Sequence, residues 1–83
     1  MKIRYFAWLR ERIGTAEEER DLPENLVTVA DLIAWLSRID EGYAYAFEQP
    51  ETIRVAINQE HVEITQPLLD AKEIAFFPPM TGG

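Results

Sequence analysis

The chain has 83 residues, 47% hydrophobic and 11% aromatic, enough for one small domain with a single core. Fifteen acidic against eight basic residues give a formal charge of −7, which argues against nucleic acid, whose phosphates call for clustered Lys and Arg. The absence of cysteine excludes a disulfide scaffold, a thiolate metal site, an iron–sulfur cluster and a cysteine nucleophile.

In chain order, residues 2–7 read as a first strand. Trp8 to Gly14 reads as a short helical turn stopped by a C-capping glycine. Residues 16–22 carry Glu17-Glu18-Glu19 and read as a polar second strand at a sheet edge, where charge blocks mispairing. Thr28 is placed to cap a helix beginning at Val29, with Asp31 in its first turn. Val29, Leu32, Ile33, Leu36 and Ile39 share one face of that helix, flanked by Trp35. Asp40-Glu41-Gly42 is expected to break it, and Tyr43 to Phe47 to form a further short turn before Pro50. Residues 52–58 alternate as a third strand. A turn near Asn58-Gln59-Glu60 leads to a return segment, His61 to Ile64. Pro67 to Asp70 is a connector and Lys72 to Phe77 the last strand. No apolar run is long enough to span a membrane and the N-terminus is not a signal peptide, so a cytoplasmic location is expected.

This order predicts an α+β fold with a helix on one face of a small mixed sheet. The ubiquitin-like β-grasp fits it best, with the first and last strands parallel neighbours at the centre. Residues 1–77 would form the domain and 78–83 an extended tail.

Strand parity divides the two faces of the sheet. Ile3, Tyr5, Ile53, Val55, Ile57, Val62, Ile64, Ile74 and Phe76 are expected inward. Lys2, Arg4, Phe6, Arg54, Ala56, His61, Glu63, Glu73, Ala75 and Phe77 are expected outward. Phe6, Ala56, Ala75 and Phe77 would then form an apolar patch on the helix-free side, the signature of a docking surface. Trp8 and Trp35 read as packing residues, and Glu17 to Glu19 as a solvated edge.

The sequence finishes in Gly82-Gly83, and no residue from Ile74 to Gly83 has an ionisable side chain. Pro78 and Pro79 lack a backbone N–H and fix φ, which ends a strand and projects the chain as a stiff stub. Glycines without Cβ can thread a narrow channel. The expected reactive group is the α-carboxylate of Gly83.

Phe76-Phe77-Pro78-Pro79-Met80-Thr81-Gly82-Gly83 resembles the C-terminal signature of the MoaD-type sulfur carriers, the small subunits of molybdopterin synthase in the MoaD/ThiS family. Tyr5-Phe6-Ala7, Leu9-Arg10-Glu11 and Gly14 resemble that family's N-terminal segment, and Ala56 to Gln59 with Pro67-Leu68 its middle. The resemblance implies a non-catalytic sulfur-donor subunit without bound cofactor or metal. A ubiquitin-activating-type adenylyltransferase would use ATP to make an acyl adenylate at Gly83. A sulfur donor protein would then convert that adenylate into a thiocarboxylate. Docked on the large subunit, in a heterotetramer of two small and two large subunits, the carrier would pass sulfur to cyclic pyranopterin monophosphate in molybdenum cofactor biosynthesis. By the same resemblance Phe6, Arg10, His61 and Phe77 are partner-binding residues, and Pro78, Pro79, Met80, Thr81 and Gly82 form the inserted tail. His61 departs from the pattern, where an aliphatic residue is usual. Arg10 has two readings: it pairs with a partner carboxylate, or simply with neighbouring Glu11 or solvent.

Three other readings stand beside this one. They are a carrier for thiamine thiazole or another thiolated metabolite, a ubiquitin-like protein modifier, and a non-covalent interaction domain with an inert tail.

Overall fold

Alternation of apolar and charged residues produces β1 (Lys2–Tyr5), with Ile3 and Tyr5 buried and Lys2 and Arg4 partly exposed. The structure is a computed structural model that describes residues 1–79. β1 is shorter than the expected span because Ala7 turns the chain at φ 54° and ψ −133°. A non-glycine residue there carries on the order of 1–3 kcal/mol of strain. The turn releases α1 (Trp8–Ile13), which ends at Gly14 with φ 95° and a Gly14 N–H donated to the Arg10 carbonyl.

Only Glu17–Glu19 form β2, where residues 16–22 were expected. The central residue of the three, Glu18, is the partner of Ile3 across the ladder. α2 (Val29–Ser37) begins as anticipated. Thr28 Oγ1 accepts the Asp31 N–H at 3.2 Å, and the Asp31 carboxylate accepts the Thr28 N–H at 3.0 Å. These backbone donors, Thr28 first and Val27 second, hold the Asp31 carboxyl below its usual range. Val29, Leu32, Ile33 and Leu36 are buried, while Ile39 lies past the helix end and only partly covered.

α2 ends before Asp40-Glu41-Gly42, as expected, and the same residues start α3 (Glu41–Ala46), which overlaps the short turn expected from Tyr43 to Phe47. Asp40 Oδ1 accepts the N–H groups of Gly42 at 2.8 Å and Tyr43 at 3.2 Å, an N-cap. A Cβ on Gly42 would lie 2.8 Å from the Arg12 carbonyl oxygen, so the glycine lets α3 approach α1. Tyr43, Ala46 and the following Phe47 are buried.

A 3₁₀ turn at Pro50–Thr52 leads to β3 (Arg54–Ile57), β4 (Glu60–Val62) and, after a connector, β5 (Glu73–Phe77). Each strand is a residue or more shorter than its expected span. Asn58 and Gln59, at φ 49° and 71°, make the tight turn between β3 and β4. Asn58 Oδ1 also accepts the N–H groups of Lys72 at 2.9 Å and Glu73 at 3.0 Å, tying that turn to the start of β5.

The sheet order is β2-β1-β5-β3-β4, with β1 and β5 parallel in the middle and the other pairs antiparallel. Inner-face residues Ile3, Tyr5, Val55, Ile74 and Phe76 pack with Leu9, the α2 stripe and the α3 aromatics in one cluster. Ile57, Val62 and Ile64 pack against it partly buried. The inside/outside division therefore holds.

A polar cluster closes this core beside β2. Glu18 Oε2 accepts the hydroxyls of Tyr5 and Tyr43, each at 2.7 Å. Arg20 donates to the Tyr43 hydroxyl at 3.1 Å. Its Nε lies 2.9 Å from Glu18 Oε1, an ion pair whose N–H direction is too poor for a hydrogen bond. Glu18→Ala strands two buried phenols and should lower stability by about 2 kcal/mol, or roughly 10 °C in melting midpoint. A thermal melt that moves by only a degree would show the cluster to be ornamental.

Burial, then the bond to Glu18, raises the Tyr5 hydroxyl far above its ordinary 10.0, and burial first raises Tyr43 as well. Above about pH 10 the unfolded phenols release protons that the native state keeps, so stability is intact below that point and declines beyond it. Tyr5→Phe should flatten this alkaline decline in denaturant titrations at stepped pH. An unchanged slope would remove Tyr5 as its source.

Candidate docking face

The helix-free side of the sheet is organised around two rings. Phe6 lies one residue beyond β1, and its N–H donates to the Phe76 carbonyl at 3.1 Å, which keeps it in register beside β5. Its ring stacks on Phe77 with centroids 4.6 Å apart and planes within 10°. On the far side of Phe77 the His61 ring stands 5.7 Å away, tilted by 40°. The Arg4 guanidinium sits over the Phe6 ring, 5.0 Å from its centroid. A continuous row, His61–Phe77–Phe6–Arg4, thus crosses the sheet from β4 to β1.

Register explains the row. Ala56 is the cross-strand partner of both His61 and Ala75, and Arg54 is the partner of Phe77. The two small alanines leave room for long neighbours to lie over them. The apolar patch is accordingly smaller than expected: Ala56 and Ala75 are 5% and 7% exposed and form its floor. Phe6 and Phe77 are half-buried and His61 is exposed. An aromatic stack contributes about 0.5–1.5 kcal/mol beyond the area it buries, and a cation over an exposed ring about 0.5–1 kcal/mol.

Three of the four anticipated partner-binding residues, Phe6, His61 and Phe77, are therefore brought together. Arg10 is not in the row: it is exposed on α1 and, among the described residues, pairs with neither Glu11 nor any other carboxylate. Pro78 and Pro79 follow β5 without regular structure and are half-buried. Met80, Thr81, Gly82 and Gly83, and with them the anticipated reactive carboxylate, lie outside the described residues. Among the described residues no three of His, Cys, Asp or Glu are grouped to hold a metal ion, and no helix is long and apolar enough to cross a membrane.

Two features were not anticipated. Arg4 and Arg54 flank the ring pair, although parity alone had already turned both outward. At the root of the tail, the Arg12 guanidinium is held between the rings of Trp8 at 4.2 Å and Tyr45 at 3.7 Å. It donates to the Tyr45 carbonyl at 3.1 Å, and Pro79 borders the small cavity of about 180 Å³ alongside. Trp8 is a packing residue, as expected.

Residues 3–83 match the ThiS family. The chain belongs to that family. It is 35% identical, over all of its length and 99% of the relative's, to the molybdopterin synthase sulfur carrier subunit of Escherichia coli. Among solved structures, a protein of Pyrococcus furiosus described as a candidate molybdopterin converting factor subunit 1 superposes with a TM-score of 0.70 and 30% identity, covering 95% of each chain. Small archaeal modifier protein 1 of Haloferax volcanii does so with a TM-score of 0.70 and 26% identity, covering 96% of this chain and 97% of its own. The fold is the ubiquitin-like β-grasp, α+β in class, as the element order implied.

Stacking at 4.6 Å makes Phe6 and Phe77 energetically coupled. A double-mutant cycle of Phe6→Ala and Phe77→Ala, read by denaturant unfolding, should return a coupling of about 1 kcal/mol. Strictly additive losses would mean that the rings do not support one another.

Proposed function

We propose that this chain is a sulfur carrier that works as the small subunit of molybdopterin synthase. The observation that carries this reading is full-length similarity to a sulfur carrier subunit in a chain whose stacked aromatic face adjoins the strand leading to the diglycine. In this reading residues 1–77 are the handle and docking plate, and 78–83 the delivering tail.

The chemistry begins at Gly83. A carboxylate is a poor electrophile because its oxygen is a poor leaving group. An adenylyltransferase of the ubiquitin-activating type lets the Gly83 carboxylate attack the α-phosphate of ATP, releasing pyrophosphate and leaving an acyl adenylate. Sulfur released by a donor protein at the hydrosulfide level then attacks the acyl carbon and expels AMP, leaving a thiocarboxylate. Neither Ile74 to Phe77 nor the six tail residues supply a cation for the charges involved, so the partners must provide that stabilisation.

Docking uses Phe6, Phe77 and His61 on the sheet and Arg10 on α1, against the large subunit in a two-plus-two assembly and, in turn, against the adenylating enzyme. Pro78 and Pro79 start the tail, and Met80, Thr81 and Gly82 line the partner's channel as Gly83 reaches the pterin precursor. The carrier binds no cofactor of its own, and the cytoplasm is where it meets these partners. A second reading, attachment of Gly83 to protein amines, is favoured by the likeness to the archaeal modifier, because both fates start from the same adenylate.

Intact-mass measurement of the chain isolated from its native host should reveal a fraction in which one terminal oxygen is exchanged for sulfur. Removal of Gly83 should abolish both that species and molybdopterin formation in a reconstituted synthase. An unmodified terminus in cells actively making the cofactor, or undiminished synthesis without Gly83, overturns the reading.

A further inference from the structure

The charge of the docking face runs against the charge of the whole. At −7 the protein as a body should be drawn to basic surfaces. Beside the ring pair, however, the groups are cationic. Arg54 is exposed, sits opposite Phe77 in the ladder and, among the described residues, has no carboxylate within 4 Å. Arg4 lies on the Phe6 ring with its side chain 41% exposed, held by Glu73 only at 3.6 Å. Glu17, the ladder partner of Arg4, pairs with Lys2 at 3.0 Å and has no ion pair within 4 Å with Arg4 among the described residues. Glu51 and Glu63 share an open groove of about 540 Å³ with Arg54 and His61, yet neither closes on the arginine.

We infer that the partner surface meeting Phe6 and Phe77 is an apolar socket edged with carboxylates that face Arg54 and Arg4. This rests on the reading above that the stacked face is where the large subunit docks. A partner covering the rings must strip water from the two guanidinium groups at their margin. Removing a guanidinium from water is costly unless a carboxylate takes the water's place. A basic counterpart would add like-charge repulsion to that cost, and a purely apolar one would leave Arg54 unsatisfied and Arg4 with only the 3.6 Å contact to Glu73. Bulk acidity, on this view, keeps copies of the carrier apart, while the face itself selects an acidic mate.

The test uses full-length carrier and the large subunit of molybdopterin synthase from the same organism. Association rate and affinity are measured from low to physiological salt. Arg54→Glu should slow association about tenfold at low salt and flatten its salt dependence, since charges at an interface margin act mainly on the encounter rate. Arg54→Gln should fall between that variant and the parent. Glu24→Lys, on an exposed loop outside the row, should leave the rate nearly unchanged although it also shifts net charge. Circular dichroism confirms that each variant is folded. If Arg54→Glu associates as fast as the parent or faster while Phe77→Ala weakens binding, the acidic counterpart is refuted and the docking face survives. If Phe77→Ala leaves affinity untouched as well, the docking face itself is refuted, and this inference falls with it.

Discussion

The parallel pairing of β1 with β5 is the constraint from which both faces of this molecule follow. Its register sets Ile3 beside Ile74 and Tyr5 beside Phe76 on the inner face. Side chains alternate along a strand, so the same register puts Arg4 beside Ala75 and brings Phe6 against Phe77 on the outer face. A slip of β1 by one residue would bury Lys2 and Arg4 and expose Ile3 and Tyr5, a change the core cannot accommodate. The buried side thus fixes the docking side. The Asn58 side chain, bonded to the backbone at the start of β5, helps hold that register from the opposite end.

Local signals were legible where one rule acted alone. The α2 stripe, the Thr28 cap, the Gly14 terminator and the parity of β1, β3, β4 and β5 were readable because period and capping chemistry agreed. α3 was obscured by Gly42. A glycine two residues after an aspartate reads as a break, and nothing local reveals that it is there for the Arg12 carbonyl of another helix. The inward role of Glu18 was hidden for a similar reason. In a run of three glutamates all look solvated, and only tertiary structure supplies the two tyrosine hydroxyls that single out the middle one. The strand ends were overextended because the Ala7 turn and the 3₁₀ turn before β3 have no strong sequence mark.

At the candidate site, strand parity indicated which residues face outward but not their mutual distances. Phe6 and Phe77 are 71 positions apart in the sequence, and their contact exists only through the β1–β5 ladder. Parity named Arg4 and Arg54 as outward-facing, yet outward charge is ordinary on a strand. Their meaning depends on the rings that they flank and on which neighbouring carboxylates are already engaged. The net charge of −7 fits a basic protein surface or simple solubility, and the arrangement of the face points to an acidic mate instead. Net charge is a sum over the whole surface, whereas docking samples only a patch within about one Debye length, roughly 8–10 Å in cells.

Under the proposed function the carrier visits two enzymes with one face, which calls for an interface that forms quickly and also lets go. An area of two half-buried rings is small for a permanent complex, and the stack, already formed in the free protein, requires little reordering on contact. Arginines at the margin raise the encounter rate without deepening the apolar contact. Rigidity at the root of the tail serves the same end. With Arg12 clamped between Trp8 and Tyr45 next to Pro79, the direction in which the chain leaves the body is set before any partner arrives.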